Sequence, residues 1–364
     1  MKKIGIDARL YFQTGVGVYL NNFLYYLQKL APQDMKFYVY VMEQDASQVE
    51  LQGEQFIKRI VNAKWHTFAE QSSFYNALMK DDLDLMHFTY FSYPVLYRRP
   101  FITTIHDVTP LTNKTGRAST LPWLAYEIKH QAFRYVLGSQ VKNAATIITP
   151  TVFVKDQLVK IYGKKYEEKI IPIYEGVSYK LMQKKENTQL RHEFKKPFFL
   201  YIGNFYPHKN VESLIEAFIK LDRNNTDLVL VGPDNYFADK LLADVEQSGV
   251  DNIHFYHTGS MGDLVYFYKN ALALVNPSFS EGFGLPLIEA AYFNTPVIAS
   301  DLPVFHETLG ESYLSFNPHR VDDIAEKLSM CLQNPRLPHY PDITKKFSFE
   351  EMTKKIIGVY SGIV

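Results

Sequence analysis

Phe198-Phe199-Leu200-Tyr201-Ile202-Gly203 is an apolar run closed by a glycine. A polar turn follows, Asn204-Phe205-Tyr206-Pro207-His208-Lys209-Asn210, and then an apolar-periodic stretch from Val211 to Leu221. The order reads as strand, loop and helix. The same order opens the chain: Lys3-Ile4-Gly5-Ile6-Asp7-Ala8, a polar loop, then a helix that sets Tyr19, Leu20, Phe23, Leu24, Leu27 and Leu30 on one stripe. A pattern that restarts midway through 364 residues predicts two successive open α/β units. The length agrees, since a single core stops growing near roughly 250–300 residues.

Outward from these two starts, the first half shows apolar strands at Phe37 to Val41, Leu85 to Phe88, Phe101 to Ile105 and Ala145 to Ile148. The second half shows them at Asp227 to Val231, Ile253 to Tyr256, Ala271 to Val275 and Val297 to Ala299. Helical stretches separate most of them, which predicts parallel sheets with helices on both faces. The polar stretch Tyr179 to Lys196 suits a linker, so the expected domains are 1–185 and 186–345. Residues 348–364 are expected to form a helix that completes the first domain. In open α/β sheets ligands sit beyond the carboxyl ends of the strands, so chemistry is to be sought in those loops.

Lys plus Arg and Asp plus Glu both number 39, and the zero net charge argues against nucleic acid as a partner. The balance is uneven: residues 1–186 carry 24 basic and 17 acidic side chains, the remainder 15 and 22. The single cysteine, Cys331, excludes an internal disulfide framework and a cysteine-only metal site. Asp7 and Arg9 interrupt the opening apolar stretch, so it does not read as a signal peptide. No window reaches the roughly 18 apolar residues of a membrane span. A cytoplasmic protein is expected, with the inner face of the membrane as a second location. The loop Tyr90 to Arg99, rich in aromatics and arginine, is the candidate membrane contact; the alternative is that its aromatics pack on their own domain.

Four segments carry candidate chemistry. Gly15-Val16-Gly17 stands before the first helix, where glycines let backbone N–H groups approach an anion. The same glycines could simply serve the loop's own geometry. Lys209, near a helix start, can neutralise a diphosphate as a point charge, although a lysine so placed is more often a solvated one. His106 closes the strand ending at Ile105, where a ligand histidine and a structural one fit equally.

The fullest signal is Asn276-Pro277-Ser278-Phe279-Ser280-Glu281-Gly282-Phe283-Gly284-Leu285-Pro286-Leu287-Ile288-Glu289-Ala290. Pro286 suits the first position of a helix, which would put Glu289 in the first turn. Two carboxylates around glycines at a helix start suit sugar and ribose hydroxyls, while the amides hold phosphate. The plainer reading of Glu289 is a favourable first-turn acid. Asp82-Leu83-Asp84 has a metal-binding spacing but more simply joins a helix to a strand. His254 and His257 are not expected to form a metal pair, and no Walker lysine motif is present.

Together these motifs resemble the family 4 glycosyltransferases, retaining enzymes of the GT-B fold, and the match runs nearly the full chain. Gly5-Ile6-Asp7-Ala8-Arg9 with Thr14-Gly15-Val16-Gly17-Val18-Tyr19 is similar to the family's opening, where Ile and Arg usually stand in place of Val16 and Val18. Thr104-Ile105-His106-Asp107 is similar to its histidine motif, and Glu281 to Glu289 to its signature of two glutamates eight apart. The loop pattern is like that of bacterial mannosyl- and related transferases of surface polysaccharides.

The resemblance implies two Rossmann-like domains facing across a cleft and a nucleotide-sugar donor, GDP-mannose-like or a UDP-hexose, held mainly by the second domain. It assigns Glu281 to donor-sugar hydroxyls and Glu289 to the ribose. The amides of Gly282, Phe283, Gly284 and Leu285 would lie near sugar and phosphates. Lys209 would neutralise the diphosphate beside Gly203 and Asn204, and His106 would reach the sugar. Many members place an arginine shortly after the equivalent of Gly203, where this chain has Asn204 and His208.

The implied acceptor is a saccharide or a lipid-linked saccharide, with no cofactor and no metal. The leaving diphosphate would help deprotonate the acceptor on the same face, so the protein supplies positioning and charge stabilisation. Two alternatives are an NAD-dependent oxidoreductase or epimerase, motivated by Gly15-Val16-Gly17, and a non-catalytic sugar-binding subunit. The complete Glu281–Glu289 motif disfavours the second.

Overall fold

The computed structural model describes residues 1–112, 123–221, 225–257, 260–334, 340 and 343–364. The chain divides into two units, Met1–Glu175 with Ser348–Val364, and Gly176–Phe347. The first holds seven strands: β1 (Lys2–Asp7), β2 (Met35–Met42), β3 (Phe56–Val61), β4 (Leu85–Phe88), β5 (Phe101–Thr104), β6 (Thr146–Thr149) and β7 (Ile170–Pro172). They pair in the order β3-β2-β1-β4-β5-β6-β7, every pair parallel. The second holds β8 (Phe198–Ile202), β9 (Asp227–Val231), β10 (Ile253–Tyr256), β11 (Ala273–Asn276), β12 (Val297–Ser300) and β13 (Leu314–Phe316). These are also all parallel, in the order β10-β9-β8-β11-β12-β13. Both sheets are Rossmann-like: sequence order runs outward in one direction from the first strand and then reverses.

Helices on both faces explain the strand composition. Asp227–Val231 is buried at every position, which is why it reads as a continuous apolar run and not as an alternation. In the second unit Leu228 and Leu230 pack with Leu214 and Phe218 of the helix Val211–Ile219 and with Ile324 and Leu328 of the helix Val321–Gln333. In the first, the helix Val16–Leu30 buries Tyr19, Leu20, Phe23 and Leu27, the stripe its periodicity predicts.

Three strands lie outside the sequence expectation: β3, β7 and β13, at or near the sheet margins. β3 is half-buried over Phe56–Arg59 with its two charged residues adjacent, so it shows no alternation, and β7 and β13 are three residues each, too short for periodicity to show. The stretch read as a linker belongs instead to the second unit. It contains the helix Tyr179–Gln183, and Asn187 donates its backbone N–H to the Gly262 carbonyl (2.9 Å) and its side-chain amide to Asp263 (2.8 Å). Leu181, Leu190 and Phe194 are buried, so three apolar anchors suffice to dock an otherwise polar segment. The unit boundary therefore falls ten residues before the expected one, at Glu175. The helix Phe349–Ile363 packs in the first unit, where the Tyr360 hydroxyl meets His87 Nδ1 at 2.7 Å.

Candidate active site

In the second unit the strand order reverses between β8 and β11, so the loops at 203–210 and 277–284 leave neighbouring strand ends. Asn210 joins them. It takes a left-handed conformation (φ 56°), and its buried amide donates to the carbonyls of Pro277 (3.1 Å) and Pro318 (2.9 Å). Phe279 adds a backbone bond to the His208 carbonyl (2.8 Å). The pinned turn Pro207–Lys209 delivers Lys209 Nζ to Glu281 Oε1 at 2.7 Å. Ser278 Oγ donates to the same oxygen (2.8 Å), with Asn276 Nδ2 further off at 3.4 Å. Burial alone would penalise the Glu281 charge, but the Lys209 ammonium, the bonds from Lys209 and Ser278, and nearby His208 outweigh it and hold the carboxyl below its ordinary range. Oε2 of Glu281 has no protein partner among the described residues.

Gly284 begins the helix Leu285–Tyr292 at φ 87°, where a Cβ would also stand 2.9 Å from the Phe305 ring. Pro286 is therefore the second helical residue, one later than expected, and no acid lies in the first turn. Glu289 sits in the second turn. The first-turn reading of this residue does not hold, because its carboxylate is buried and Oε2 accepts from the Tyr268 hydroxyl at 2.7 Å. Burial raises its pKa to about 7, against the opposing pull of the tyrosine bond. The N–H groups of Phe283 and Gly284 make no hydrogen bond among the described residues. The Phe283 ring is buried edge-on against Phe347, and Leu285 is half-buried. Gly203 donates to the Val231 carbonyl (3.0 Å), and the Asn204 carbonyl accepts from buried Tyr201.

The first unit places its own expected residues at strand ends. His106 follows β5, with Nδ1 3.0 Å from Glu175 Oε1 and Nε2 3.0 Å from the Thr89 carbonyl. Gly15 takes φ 74°, and a Cβ on Gly17 would stand 2.7 Å from the Tyr11 carbonyl, so backbone conformation accounts for the first glycine and close packing for the second. Asp82 pairs with Arg99, and Asp84 accepts from the Lys3 N–H (2.8 Å), as a helix–strand junction needs. In the second unit His254 leans on Asp227 (3.3 Å) while His257 bonds the Gly232 carbonyl (3.0 Å), so the two do not converge. The loop Tyr90 to Arg99 is not an exposed aromatic loop: Phe91, Tyr93 and Tyr97 are buried in their own unit, and Leu96 alone of its large apolar side chains is exposed.

Sequence reasoning missed Ser278, Asn276, Asn210 and Tyr268. Ser278 and Asn276 lay inside the quoted motif but carried no charge to single them out. Tyr268 sits in an apolar-rich helix, Met261–Asn270, and reads there as a core aromatic. It also missed a buried cluster in the first unit, where Arg9 bonds Asp7 (2.7 Å) and Glu70 (2.8 Å) over the Phe74 ring.

Two family models match the chain: "Glycosyltransferase Family 4" over residues 14–180 and "Glycosyl transferases group 1" over residues 182–346. The O-antigen chain mannosyltransferase RfbU of Salmonella typhimurium is 34% identical over 267 residues, 70% of this chain and 71% of its own. The O-antigen chain mannosyltransferase B of Escherichia coli is 32% identical over 170 residues, 44% of this chain and 45% of its own. Among solved structures, sucrose-phosphate synthase from Thermosynechococcus elongatus has the same fold with a TM-score of 0.80 at 17% identity, covering 100% of this chain and 99% of that one. WaaG, a glycosyltransferase involved in lipopolysaccharide biosynthesis, has a TM-score of 0.70 at 18% identity, covering 98% and 95%.

Proposed function

The chain belongs to the family 4 glycosyltransferases, with the GT-B fold, and from that premise we propose that it transfers a hexose from a nucleotide-sugar with retention. The observation that supports this best is the meeting of Lys209 and Glu281 beside the amides of Phe283 and Gly284, which are unbonded among the described residues. A cation and exposed N–H groups suit a diphosphate. Carboxylate oxygens suit hydroxyls: Glu281 Oε2 for the sugar, Glu289 for the ribose. On donor binding Lys209 would share its charge between Glu281 and the diphosphate. For His106 we hold the role the resemblance gives it, a contact to the donor sugar; Gly15, Val16 and Gly17 are kept as substrate contacts on the glycine reading alone.

In the reaction proposed, an acceptor hydroxyl attacks the anomeric carbon as the bond from that carbon to the diphosphate oxygen breaks. The bonding pair leaves with the diphosphate, which takes the hydroxyl proton on the same face. Lys209 and the loop amides stabilise the departing charge, and neither a cofactor nor a metal ion takes part. The mannosyltransferase relatives favour a GDP-mannose donor and an acceptor in surface polysaccharide synthesis, a saccharide or a lipid-linked saccharide. The test is calorimetric titration with GDP, UDP and NADH, followed by a panel of nucleotide-sugars with hydrolysis as readout, in excess EDTA. Binding of GDP or UDP with metal-free turnover of a nucleotide-sugar is expected. Binding of NADH alone would return the reading to an oxidoreductase, and turnover that needs added Mn²⁺ would overturn the metal-free mechanism.

A further inference from the structure

Tyr268 is fully buried in the helix Met261–Asn270 and meets the candidate site through its hydroxyl, 2.7 Å from Glu289 Oε2. Its ring stacks on Phe293 at 5.6 Å, and its carbonyl accepts from Thr295 Oγ1. Thr295 is held in turn by the Tyr340 hydroxyl, which donates to its carbonyl at 2.9 Å. The tyrosine is thus fixed from both sides. Burial keeps its own pKa well above the ordinary tyrosine value, so the hydroxyl stays a donor and the glutamate the acceptor.

A carboxylate can accept several hydrogen bonds, and here one oxygen is engaged while Oε1 has no partner among the described residues. We propose that Tyr268 is a positioning residue for the nucleotide: by holding Oε2 of Glu289 it presents Oε1 to the ribose hydroxyls. This rests on the nucleotide-sugar reading of the site and adds a residue to it. Supporting the geometry, burial makes the Glu289 charge costly, and fold stability alone gives no reason to keep such a group. A phenylalanine would fill the same volume and lose only the bond, which leaves the carboxylate free to rotate and harder to ionise.

The test is titration of the wild type, Tyr268→Phe, Glu289→Gln and the double variant with GDP and UDP and with their 2′,3′-dideoxy forms. In Tyr268→Phe, affinity for the better ribonucleotide is expected to fall on the order of tenfold, the size of one hydrogen bond to a charged group, with less than about a twofold change for the dideoxy form. The double variant is expected to bind no more weakly than Glu289→Gln, because the tyrosine acts through the glutamate. A purely packing tyrosine would lower Tm and leave the ratio of ribo to dideoxy affinity unchanged, and that result overturns the proposal. A wild type that binds both nucleotide forms equally overturns the ribose grip but leaves nucleotide binding standing. A wild type that binds neither nucleotide overturns the functional reading and this inference together. Should Tyr268→Phe fail to fold, a crystal structure of the wild type with the tighter nucleotide decides. Glu289 Oε2 on Tyr268 with Oε1 on the ribose supports the proposal; a ribose bonded elsewhere overturns it.

Discussion

Lys209 and Glu281 stand 72 residues apart in sequence and 2.7 Å apart in space. Their pairing changes what Lys209→Ala should do. A charge-assisted contact to a diphosphate is worth roughly 1.5–3 kcal/mol, so nucleotide affinity should fall about tenfold to hundredfold. The variant also strands a partly buried carboxylate and should lower Tm. Adding Glu281→Gln should restore Tm but not affinity, and calorimetry with thermal melts would show both. Recovery of affinity in that double variant would remove Lys209 from the phosphate site. Glu289 makes a pH-dependent prediction. Its pKa is raised by burial to about 7, so its neutral form favours the fold: the contribution is complete below the ordinary 4.5 and is lost as pH rises through about 7. Glu289→Gln should therefore raise Tm near pH 8, by no more than about 3 kcal/mol of stability, and change it little near pH 4.5. Nucleotide affinity should move oppositely, weakening from about pH 8 to pH 6 in the wild type more than in Glu289→Gln. Equal pH slopes in the two proteins would show that the carboxylate does not grip the ligand. The two glutamates and the lysine were legible because charge and glycine context mark them. Ser278 and Tyr268 were not, since a hydroxyl that orients another residue's carboxylate has no local signature in sequence.

The helix Leu285–Tyr292 owes its starting point to Gly284. An alanine there would be forced to φ 87° with its Cβ 2.9 Å from the Phe305 ring. Gly284→Ala should cost roughly 1–3 kcal/mol and, by shifting the helix start, weaken nucleotide binding along with it. Thermal melts and titration check both effects; a variant with wild-type affinity would show that the loop amides do not hold the phosphates. At this scale, legibility followed length and burial. β8, β9 and β11 read clearly as apolar runs because helices cover both faces of the sheet. β3 presents partly exposed Lys58 and Arg59 and lost the pattern, while β7 and β13 were too short to have one. The polar segment after Gly176 misled because three buried side chains dock it while its composition stays that of a linker.

Counted over the two units, the charge asymmetry persists but is smaller than between the sequence halves. Met1–Glu175 with Ser348–Val364 carries 23 basic and 18 acidic side chains, a net +5, and Gly176–Phe347 carries 16 and 21. No helix among the described residues is long and apolar enough to cross a membrane. With Phe91, Tyr93 and Tyr97 buried, docking of the first unit on an anionic leaflet would draw on its surface cations and not on this loop's aromatics, each near-surface cation adding about 1 kcal/mol. Co-sedimentation with phosphatidylglycerol vesicles should then appear at low salt and vanish at high salt. Binding that survives high salt would demand apolar insertion by side chains other than these, and no binding at low salt would favour a soluble acceptor. The central claim concerns where the donor nucleotide sits. Hydrogen–deuterium exchange on the whole chain, with and without saturating GDP or UDP, tests it most directly. Protection concentrated at residues 203–210 and 276–290 is the result the account predicts, because both loops leave the strand ends where the second sheet reverses its order. Protection confined to residues 5–19, with those two segments unchanged, would contradict it.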